Sequence, residues 1–429
     1  MCDALTEAQA LLDGDEETLA RVASSLLKPL RDNCVERPWG GSRIREFKGL
    51  DQNVSSAAPL GEAFEIAAFN DDAEARQYPS LLRFADGSDV SLATAIERQA
   101  DGLLGRDFAA RFGACIPLLP KLLNVKELLS VQGHPEGNTE VYVIIDAEPG
   151  ATLRVGFRED IDPGELSERL IDGRRRQETL QAMLAGVLSA DAIQELVSPW
   201  FAERETGFEA IAQSFEAGEL NGDELRECLV ELKILYWHVL DAMNEIPVSP
   251  GQVIYNANPQ RITAETGKQP SAEVHALGNP EKKEVLALEI RRPGPTFRAW
   301  DNVRFPIRDI DIQAAIAALN LQATSSDEYI VEPTPVAERA GVFCSVDSAA
   351  FRVEHLRPSS SVAVEVPEEA PHFLFAIGGS ARVVAQDGRS LGDLRQGESA
   401  VVPIGVGSYR VESTADATEI IKASLPVDA

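Results

Sequence analysis

The stretch SVQGHPEGNTEVYVIIDAEPG, residues 130–150, decides the fold, because it predicts two strands joined by a short polar turn. Side chains along a strand alternate between its two faces, so Gln132 and His134 are expected on the same face. Glu140 opens the second strand, which continues with the apolar residues 141–145. A hairpin of this kind directs an amide, an imidazole and a carboxylate to one point, and a divalent metal accepts all three as ligands.

A structural role is the alternative for this hairpin. A single histidine in a strand is more often a hydrogen-bonded structural residue than a ligand, and the spacing from Gln132 to Glu140 is weakly specific by itself. The chain has only 5 histidines in 429 residues, so one that lies between a glutamine and a glutamate favours a metal site. A second, distant ligand is needed to complete such a site.

The composition is that of a globular protein with more than one domain. Apolar residues make up 44% of the chain and charged residues 25%. The 69 acidic residues outnumber the 40 basic ones, which gives a net charge of -29. Nucleic acids and anionic membranes are therefore not expected as partners, because both attract positive surfaces. An anionic substrate would need a local basic pocket.

The sequence also predicts a cytoplasmic protein. It has no apolar run of about 18 residues that would form a transmembrane helix. Its N-terminal segment is acidic, whereas a signal peptide has a positive segment followed by an apolar one. The five cysteines are scattered and never form a C-x-x-C pair, which indicates reduced thiols; they are Cys2, Cys34, Cys115, Cys228 and Cys344.

The pattern of apolar residues predicts a mainly β protein with a helical insert. Residues 5–30 have helical periodicity, and residues 1–35 are predicted to form an N-terminal helical extension. Short strands broken by glycine and proline predict one β domain, made of residues 36–162 and 245–325. Residues 163–244 lack this punctuation and predict an all-α domain of three to five helices. Residues 326–429 return to short strands and predict a terminal β domain, a small sandwich or barrel.

Several segments resemble type I phosphomannose isomerases, and the resemblance spans nearly the whole chain from Glu36. The segments are RPWGGSRI (37–44), GEAFEIAAF (61–69), LLPKLLNVKELLSVQGHP (118–135), TEVYVIIDAEPGA (139–151) and SAEVHALG (271–278). For the fold, the resemblance implies cupin (jelly-roll) barrels, two of them, together with the all-α domain. For the activity, it implies a zinc-dependent aldose-ketose isomerase that interconverts mannose 6-phosphate and fructose 6-phosphate, with a sugar phosphate as its small-molecule partner.

The resemblance also implies the ligands of one Zn²⁺ per chain. In the family, the metal is held by the glutamine and histidine of a QxHP motif, by the glutamate of the next strand and by a later histidine. By position these are Gln132, His134, Glu140 and His275, so His275 is the distant ligand that the hairpin lacks. Two neutral imidazoles, one amide and one carboxylate leave the zinc site with a net charge of about +1, which favours Lewis-acid chemistry.

Two further residues acquire catalytic roles by the same resemblance. Moving a carbonyl between C1 and C2 of a sugar needs a base and a group that stabilises the enediolate. Arg298, in TFRAWD, matches a family arginine that contacts the reacting sugar and implies an electrostatic role. Glu289, in LALEIRRP, matches a family glutamate and is a candidate acid/base or orienting residue. A structural ion pair near the barrel mouth is the alternative for Glu289 and Arg298.

Substrate binding is implied for Lys121 and Ser130, which correspond to the lysine and serine that bind the substrate phosphate in the family. Lys121 lies in the apolar stretch PLLPKLLNV, where an unpaired ammonium would be costly. It is therefore expected to face a cleft or a carboxylate, and a solvated lysine at a strand end is the alternative.

The chain departs from the family at three places. The loop before Glu140 is shortened, and Asn138 stands where the family has a lysine. The segment EIRRPGPTFR adds Arg291 and Arg292, which either bind anions or lie on the surface. Residues 253–269 carry additional polar residues and predict a loop over the site mouth.

These departures leave two alternatives to the family reaction. One is an isomerase or epimerase of another sugar or sugar phosphate, and the other is a non-catalytic metal-bearing cupin that senses sugars. For the assembly, we expect a monomer or a small homo-oligomer. Among the other histidines, His238 is expected to pack within a helix, and no metal is expected at His355 or His372.

Overall fold

The computed structural model of the protein describes residues 5–50, 58–69, 73–135, 137–215, 222–257, 272–360, 363–367 and 370–426. It contains helices and several antiparallel sheets. Within the described residues, none of the helices combines the length and the apolar character needed to cross a lipid bilayer.

Two short helices begin the described chain, α1 (Glu7–Asp13) and α2 (Glu16–Ala23). Side-chain oxygens of Thr6 and Asp15 cap their N-termini by accepting backbone N–H groups. Leu11 of α1 is fully buried in an apolar cluster that also holds residues of both β regions. The N-terminal extension is therefore part of the core of the molecule.

The first β region contains two large sheets. Its seven-stranded sheet has the order β1-β2-β5-β12-β7-β10-β14 and its five-stranded sheet the order β13-β6-β11-β8-β9. The strands of the first sheet are β1 (Cys34–Gly41), β2 (Leu60–Phe64), β5 (Leu119–Val125), β7 (Glu140–Ala147), β10 (Val253–Asn256), β12 (Val285–Arg291) and β14 (Ile330–Val331). Those of the second are β6 (Val131–Gly133), β8 (Thr152–Phe157), β9 (Met243–Pro247), β11 (His275–Ala276) and β13 (Phe297–Trp300).

These two sheets share one apolar cluster, to which Leu123 and Tyr142 contribute from the seven-stranded sheet and Val155 and Ile246 from the five-stranded sheet. The sheets therefore pack face to face, and residues on their inner faces can converge. A small ribbon, β3 (Leu81–Arg83) and β4 (Asp89–Ser91), and five short helices complete this part of the chain. The helices are α3 (Arg43–Phe47), α4 (Ala73–Gln77), α5 (Leu92–Arg98), α6 (Ala100–Leu103) and α7 (Arg106–Phe112).

The predicted hairpin of residues 130–150 is wrong. Strand β6 belongs to the five-stranded sheet and β7 to the seven-stranded sheet, so the two strands do not pair. The polar turn carries the chain from one sheet to the other. Gln132 and Glu140 therefore approach each other across the space between the two sheets. Alternation of side chains along a hairpin does not explain their proximity.

The helical insert follows β8. It comprises α8 (Pro163–Leu184), α9 (Ala190–Ala202), α10 (Glu209–Ala212) and α11 (Gly222–Ala242). Asp162 caps α8 and Pro163 stands in its first turn, which is the usual position for both residue types. The apolar cluster of these helices also includes Val131 and Phe157 of the five-stranded sheet. The insert therefore packs on the sheet through a shared core.

The remaining chain begins with α12 (Ile312–Ala318) and continues into two further antiparallel sheets. Their orders are β15-β16-β17-β24-β19-β22 and β18-β23-β20-β21, and they share an apolar cluster of their own. The first comprises β15 (Thr334–Pro335), β16 (Val342–Asp347), β17 (Arg352–Leu356), β19 (His372–Gly378), β22 (Ser399–Val402) and β24 (Glu419–Ser424). The second comprises β18 (Val364–Val366), β20 (Ser380–Ala385), β21 (Ser390–Arg395) and β23 (Tyr409–Ser413).

Candidate metal centre

Strand register sets the positions of the polar residues between the two large sheets. In the seven-stranded sheet, Glu289 of β12 lies opposite Lys121 of β5, and Arg291 lies opposite Glu140 of β7. In the five-stranded sheet, His275 lies opposite Gln132 of β6. The metal-ligand candidates therefore come from both sheets. Strand pairing brings His275 close to Gln132 although they are far apart in the sequence.

Three of the four predicted metal ligands meet as one buried cluster. Ligand atoms of His134, Glu140 and His275 all lie within 4.8 Å of one another. His134 Nε2 is 2.8 Å from Glu140 Oε1, and His275 Nε2 is 3.4 Å from Glu140 Oε2. Each of the three residues is only 1% exposed. Within the described residues, no other group of three or more histidine, cysteine or carboxylate side chains has this arrangement.

Backbone carbonyls determine which nitrogen of each imidazole carries its proton. His134 Nδ1 is 3.0 Å from the carbonyl oxygen of Pro295, and His275 Nδ1 is 2.8 Å from that of Glu273. A carbonyl only accepts hydrogen bonds, so both Nδ1 atoms donate, and in the neutral imidazoles both Nε2 atoms keep a lone pair. Asn256 contacts the same segment: its Oδ1 accepts the N–H of Glu273 at 2.9 Å, and its Nδ2 lies 3.0 Å from His275 Nδ1.

The electrostatics of this cluster call for a cation. His134 Nε2 is buried without a hydrogen-bond partner in the described chain, although it lies 2.8 Å from a carboxylate oxygen. A lone pair and a carboxylate repel each other at that distance unless a positive charge lies between them. Burial lowers the pKa of His275, which disfavours a proton as that charge. The donor set, two imidazole nitrogens and a carboxylate, fits Zn²⁺.

Gln132, the fourth predicted ligand, lies beside this cluster. Its Nε2 donates to His275 Nε2 at 3.1 Å, and its Oε1 accepts from Ser130 Oγ at 2.9 Å. The two ends of an amide have nearly the same shape, so turning it over points the oxygen toward the cluster and the nitrogen toward Ser130. Its role as a ligand stays a prediction.

Glu140 is held as a carboxylate. Burial raises its pKa, but the positive charge of His134 and His275 when they are protonated, together with that of Arg291, opposes this more strongly, and the pKa lies well below its ordinary value. Tyr142 donates its hydroxyl to Glu140 Oε2 and is fully buried. Burial and the nearby carboxylates raise the pKa of Tyr142 well above its ordinary value, so the hydroxyl stays a donor.

A second cluster of charges lies next to the first on β5 and β12. Lys121 Nζ is 3.1 Å from Glu289 Oε2, and Arg291 Nε is 3.7 Å from that same oxygen and 3.6 Å from Glu140 Oε1. Lys121 is 5% exposed, so it faces a carboxylate as predicted, and the solvated alternative is wrong. Burial and Glu140 raise the pKa of Glu289, whereas Lys121 and Arg291 lower it; the net shift is upward.

Both clusters open into one cavity of about 380 Å³. Every predicted site residue except His275 lines it, and the buried His275 supports it from behind through Gln132. The basic residues of the lining outnumber the acidic ones; they are Arg37, Lys121, Arg291, Arg298, Arg304 and Arg308 against Glu62, Glu140 and Glu289. The cavity is therefore the local basic pocket that an anionic substrate requires in so acidic a protein.

Four other features were singled out in the sequence: Asn138, the loop before His275, His238 and His355. Asn138 is buried at 4% exposure, and its side chain has no hydrogen-bond partner in the described chain. The proposed loop over the site mouth lies mostly outside the described residues, which end at residue 257 and resume at residue 272. His238 is exposed on α11, so the expectation that it is packed is wrong. His355 contacts Glu419 and Ser345.

The site residues predicted from the sequence do not include Tyr142, Asn256, Arg304 and Arg308, which the structure places at the site. Tyr142 was predictable from the alternation of side chains along β7. Residues two apart share a face of the strand, so Tyr142 lies on the same face as the predicted metal ligand Glu140. No comparable signal existed for Asn256, which acts through the backbone of a residue on another segment.

Known proteins resemble this chain in sequence over residues 27–150 and in fold over most of its length. Residues 27–150 match the model of a family described as phosphomannose isomerase type I, catalytic domain, which confirms the resemblance found in the sequence. A mannose 6-phosphate isomerase structure from Bacillus subtilis is 19% identical with a TM-score of 0.59, and the match covers 94% of this chain and 100% of that chain. A phosphomannose isomerase variant from Salmonella typhimurium is 18% identical with a TM-score of 0.59, covering 94% and 99%. A comparison with curated protein sequences gave no match.

The buried cluster makes a direct prediction about metal binding. Replacing His275 with alanine removes one imidazole from a site of three or four donors, so zinc affinity should fall by more than about 100-fold. The matched control is His238→Ala, which alters an exposed histidine of α11. Zinc content after dialysis against a weak chelator measures the effect. Stoichiometric zinc in His275→Ala, or equal loss in both variants, would contradict the assignment.

Proposed function

We propose that this chain, whose residues 27–150 match the model of the type I phosphomannose isomerase catalytic domain, interconverts mannose 6-phosphate and fructose 6-phosphate with the help of one zinc ion. The observation that carries the proposal is the coincidence of two features in one cavity. One is a buried pair of imidazoles facing a carboxylate, and the other is a lining with an excess of basic side chains.

In this proposal the two pairs of sheets are two cupin barrels. The first consists of residues 36–162 and 245–325 and carries the reaction. Residues 163–244 form an all-α domain inserted into it, and residues 326–429 form the second barrel behind the N-terminal extension of residues 1–35. The pairing of sheets around separate apolar clusters supports this division.

The zinc ligands in this proposal are Gln132, His134, Glu140 and His275. When bound there, the metal supplies a Lewis acid for the negative charge that develops on the sugar oxygens during isomerisation. The protein orients these ligands through their outer contacts: Tyr142 donates to Glu140, and backbone carbonyls accept from both imidazoles.

Glu289 is proposed to move the proton between C1 and C2 of the sugar. Its carboxylate lines the cavity next to the metal-ligand cluster, and its raised pKa makes it a better proton acceptor than an ordinary glutamate. The Lys121 ammonium, 3.1 Å away, stabilises the carboxylate form after the proton leaves. Arg298 lies opposite Gln132 in the neighbouring strand and is proposed to stabilise negative charge on the reacting sugar.

Lys121, Ser130 and Arg291 are proposed to bind the substrate, because all three line the cavity. For the cell, we propose a cytoplasmic protein that is a monomer or a small homo-oligomer. The four cysteines in the described part of the chain are free thiols, which is usual in a reducing compartment; they are Cys34, Cys115, Cys228 and Cys344.

Isomerisation through an enediolate predicts exchange of a sugar proton with solvent. The zinc-loaded protein, incubated with fructose 6-phosphate in D₂O, should form mannose 6-phosphate and incorporate deuterium at C1 or C2, as followed by NMR. His275→Ala protein is the control and should show neither change. Binding of the sugar phosphate without exchange would point to a sensor, and exchange only with unphosphorylated sugars would contradict the proposed substrate.

Replacing Glu289 with glutamine should lower kcat by about 10²- to 10⁴-fold while zinc content stays at one ion per chain. The base must be ionised, so activity falls as pH drops through its pKa. Because the pKa of Glu289 is raised, this acid limb should lie above pH 4.5, the ordinary value for glutamate. Profiles of kcat/KM against pH, measured for the wild type and for Glu365→Gln, a carboxylate that is 66% exposed, provide the comparison. A wild-type acid limb retained in Glu289→Gln would rule out this role.

A further inference from the structure

A second cavity, of about 980 Å³, lies between the start of α7 and the sheets of the terminal β region. Its wall includes residues of the segments 104–108, 347–349 and 424–426. It has no lining residue in common with the cavity at the metal-ligand cluster. A cavity of this size accommodates an organic molecule, whereas a single ion would leave most of it empty.

Part of the wall of this cavity is apolar. Leu104, Phe108 and Leu425 line it, and all three belong to the buried apolar cluster that joins both β regions. Val336 and Ile404 add further apolar surface. Water gains little from contact with such side chains, so an apolar group that displaces it is favoured.

The same cavity is also lined by two arginines that share one carboxylate. Arg339 Nη1 donates to Glu354 Oε1 at 2.7 Å, and Arg352 Nε donates to the same oxygen at 3.1 Å. The fully buried Lys422 donates its Nζ to Glu354 Oε2 at 3.0 Å. Asp347, a second carboxylate, is 66% exposed and accepts from Arg352 at 2.8 Å. Three cations and two carboxylates leave this group with a net charge of +1.

Glu354 keeps its negative charge within this group. Burial raises its pKa, but Lys422, Arg339 and Arg352 lower it more strongly, so the pKa lies below its ordinary value. One carboxylate at 1% exposure is therefore surrounded by more positive charge than it neutralises. The excess cation is partly offset by Asp347, whose exposure to water weakens its attraction to Arg352.

Arg339 has hydrogen-bond donors that the protein does not use. Its Nε and Nη2 atoms are buried without a hydrogen-bond partner in the described chain. Together they form one edge of the guanidinium, whose two parallel N–H groups match the two oxygens of a carboxylate. Unpaired buried donors are costly. The preceding residue, Glu338, has a φ of 62°, and such strain persists where the surroundings fix the backbone.

The histidine next to this group adds no charge and no free donor. His372 Nδ1 donates to the carbonyl of Ala370 at 2.9 Å, and its Nε2 lies 2.7 Å from the Tyr409 hydroxyl. Burial and the positive charge of Lys422 lower the pKa of His372 to about 3, so the imidazole is neutral. The net charge of +1 is therefore independent of this histidine.

We propose that this second cavity binds an organic carboxylate with an apolar body. The carboxylate pairs with Nε and Nη2 of Arg339, and the body lies against Leu104, Phe108 and Leu425. Arg339 is 21% exposed, which leaves its side chain room to turn the unpaired edge toward the ligand. A net charge of +1 favours a monoanion over a phosphate dianion. The site is separate from the proposed function because the two cavities share no residue.

Octanoate, an eight-carbon carboxylate, is the probe, and calorimetry on the full chain measures its binding. Arg339→Gln removes the guanidinium and should weaken octanoate binding by at least about tenfold. The matched control is Arg382→Gln, which alters an arginine of the same β region that is 52% exposed and pairs with Asp393 at 3.3 Å. It should bind octanoate like the wild type. Octanol, which has the same chain without the charge, should bind the wild type at least about tenfold more weakly than octanoate.

A second variant tests the cavity without changing a charge. Ala349 is exposed and lines the cavity, so Ala349→Trp fills part of the volume and should weaken both octanoate and octanol. Its control is Ala415→Trp, at an exposed alanine outside the cavity lining. Thermal unfolding shows whether each variant is folded. If Arg339→Gln does not fold, Ala349→Trp and the comparison of octanoate with octanol decide the question.

Three results would overturn the proposal. The first is the absence of octanoate binding to the wild type, and the second is equal octanoate affinity in the wild type and in folded Arg339→Gln. The third is binding that Ala349→Trp leaves unchanged, which would place octanoate elsewhere on the protein. Inorganic phosphate that binds this site as tightly as octanoate would contradict the role of the apolar wall. Each result stands whether or not the chain isomerises a sugar phosphate.

Discussion

The approach of two imidazole lone pairs to one buried carboxylate is the constraint on which the rest of this site depends. His134 and His275 each donate Nδ1–H to a backbone carbonyl, so each directs an unprotonated Nε2 at Glu140. Without a cation these atoms repel one another in a region shielded from water. The arrangement is therefore stable as a metal site, and Tyr142 adds a hydrogen bond to Oε2, the carboxylate oxygen that His275 faces.

The architecture explains how residues that are far apart in the sequence meet at one site. The polar turn after β6 transfers the chain from the five-stranded to the seven-stranded sheet, so that Gln132 and Glu140 face each other across the inter-sheet space. Pairing of β11 with β6 adds His275, and pairing of β12 with β5 and β7 adds the Lys121–Glu289–Arg291 cluster. The helical insert packs on the outside of the five-stranded sheet and reaches the loop of Arg304 and Arg308. Each layer of the fold thus positions a different part of the cavity.

Part of the site was predictable because residue type and motif order carry chemical information. The metal-ligand candidates and the carboxylate partner of Lys121 followed from motif order and from the cost of burying an unpaired ammonium. The strand pairing did not follow, because the length of the turn after His134 is compatible with either a hairpin or a crossing between sheets. Arg304 and Arg308 could not be found from the sequence either. They line the cavity because of the loop geometry and its contacts with α8 and α9, which no local pattern encodes.

We propose that imidazole nitrogen and carboxylate or amide oxygen bind zinc in this cluster. X-ray absorption spectroscopy of the zinc-loaded full chain tests it most directly. We expect a four-coordinate shell of nitrogen and oxygen at about 2.0–2.2 Å, with outer-shell scattering from two imidazole rings. That imidazole scattering should fall when His134 is replaced with alanine. A sulfur shell at about 2.3 Å, or a spectrum without imidazole scattering, would contradict the claim.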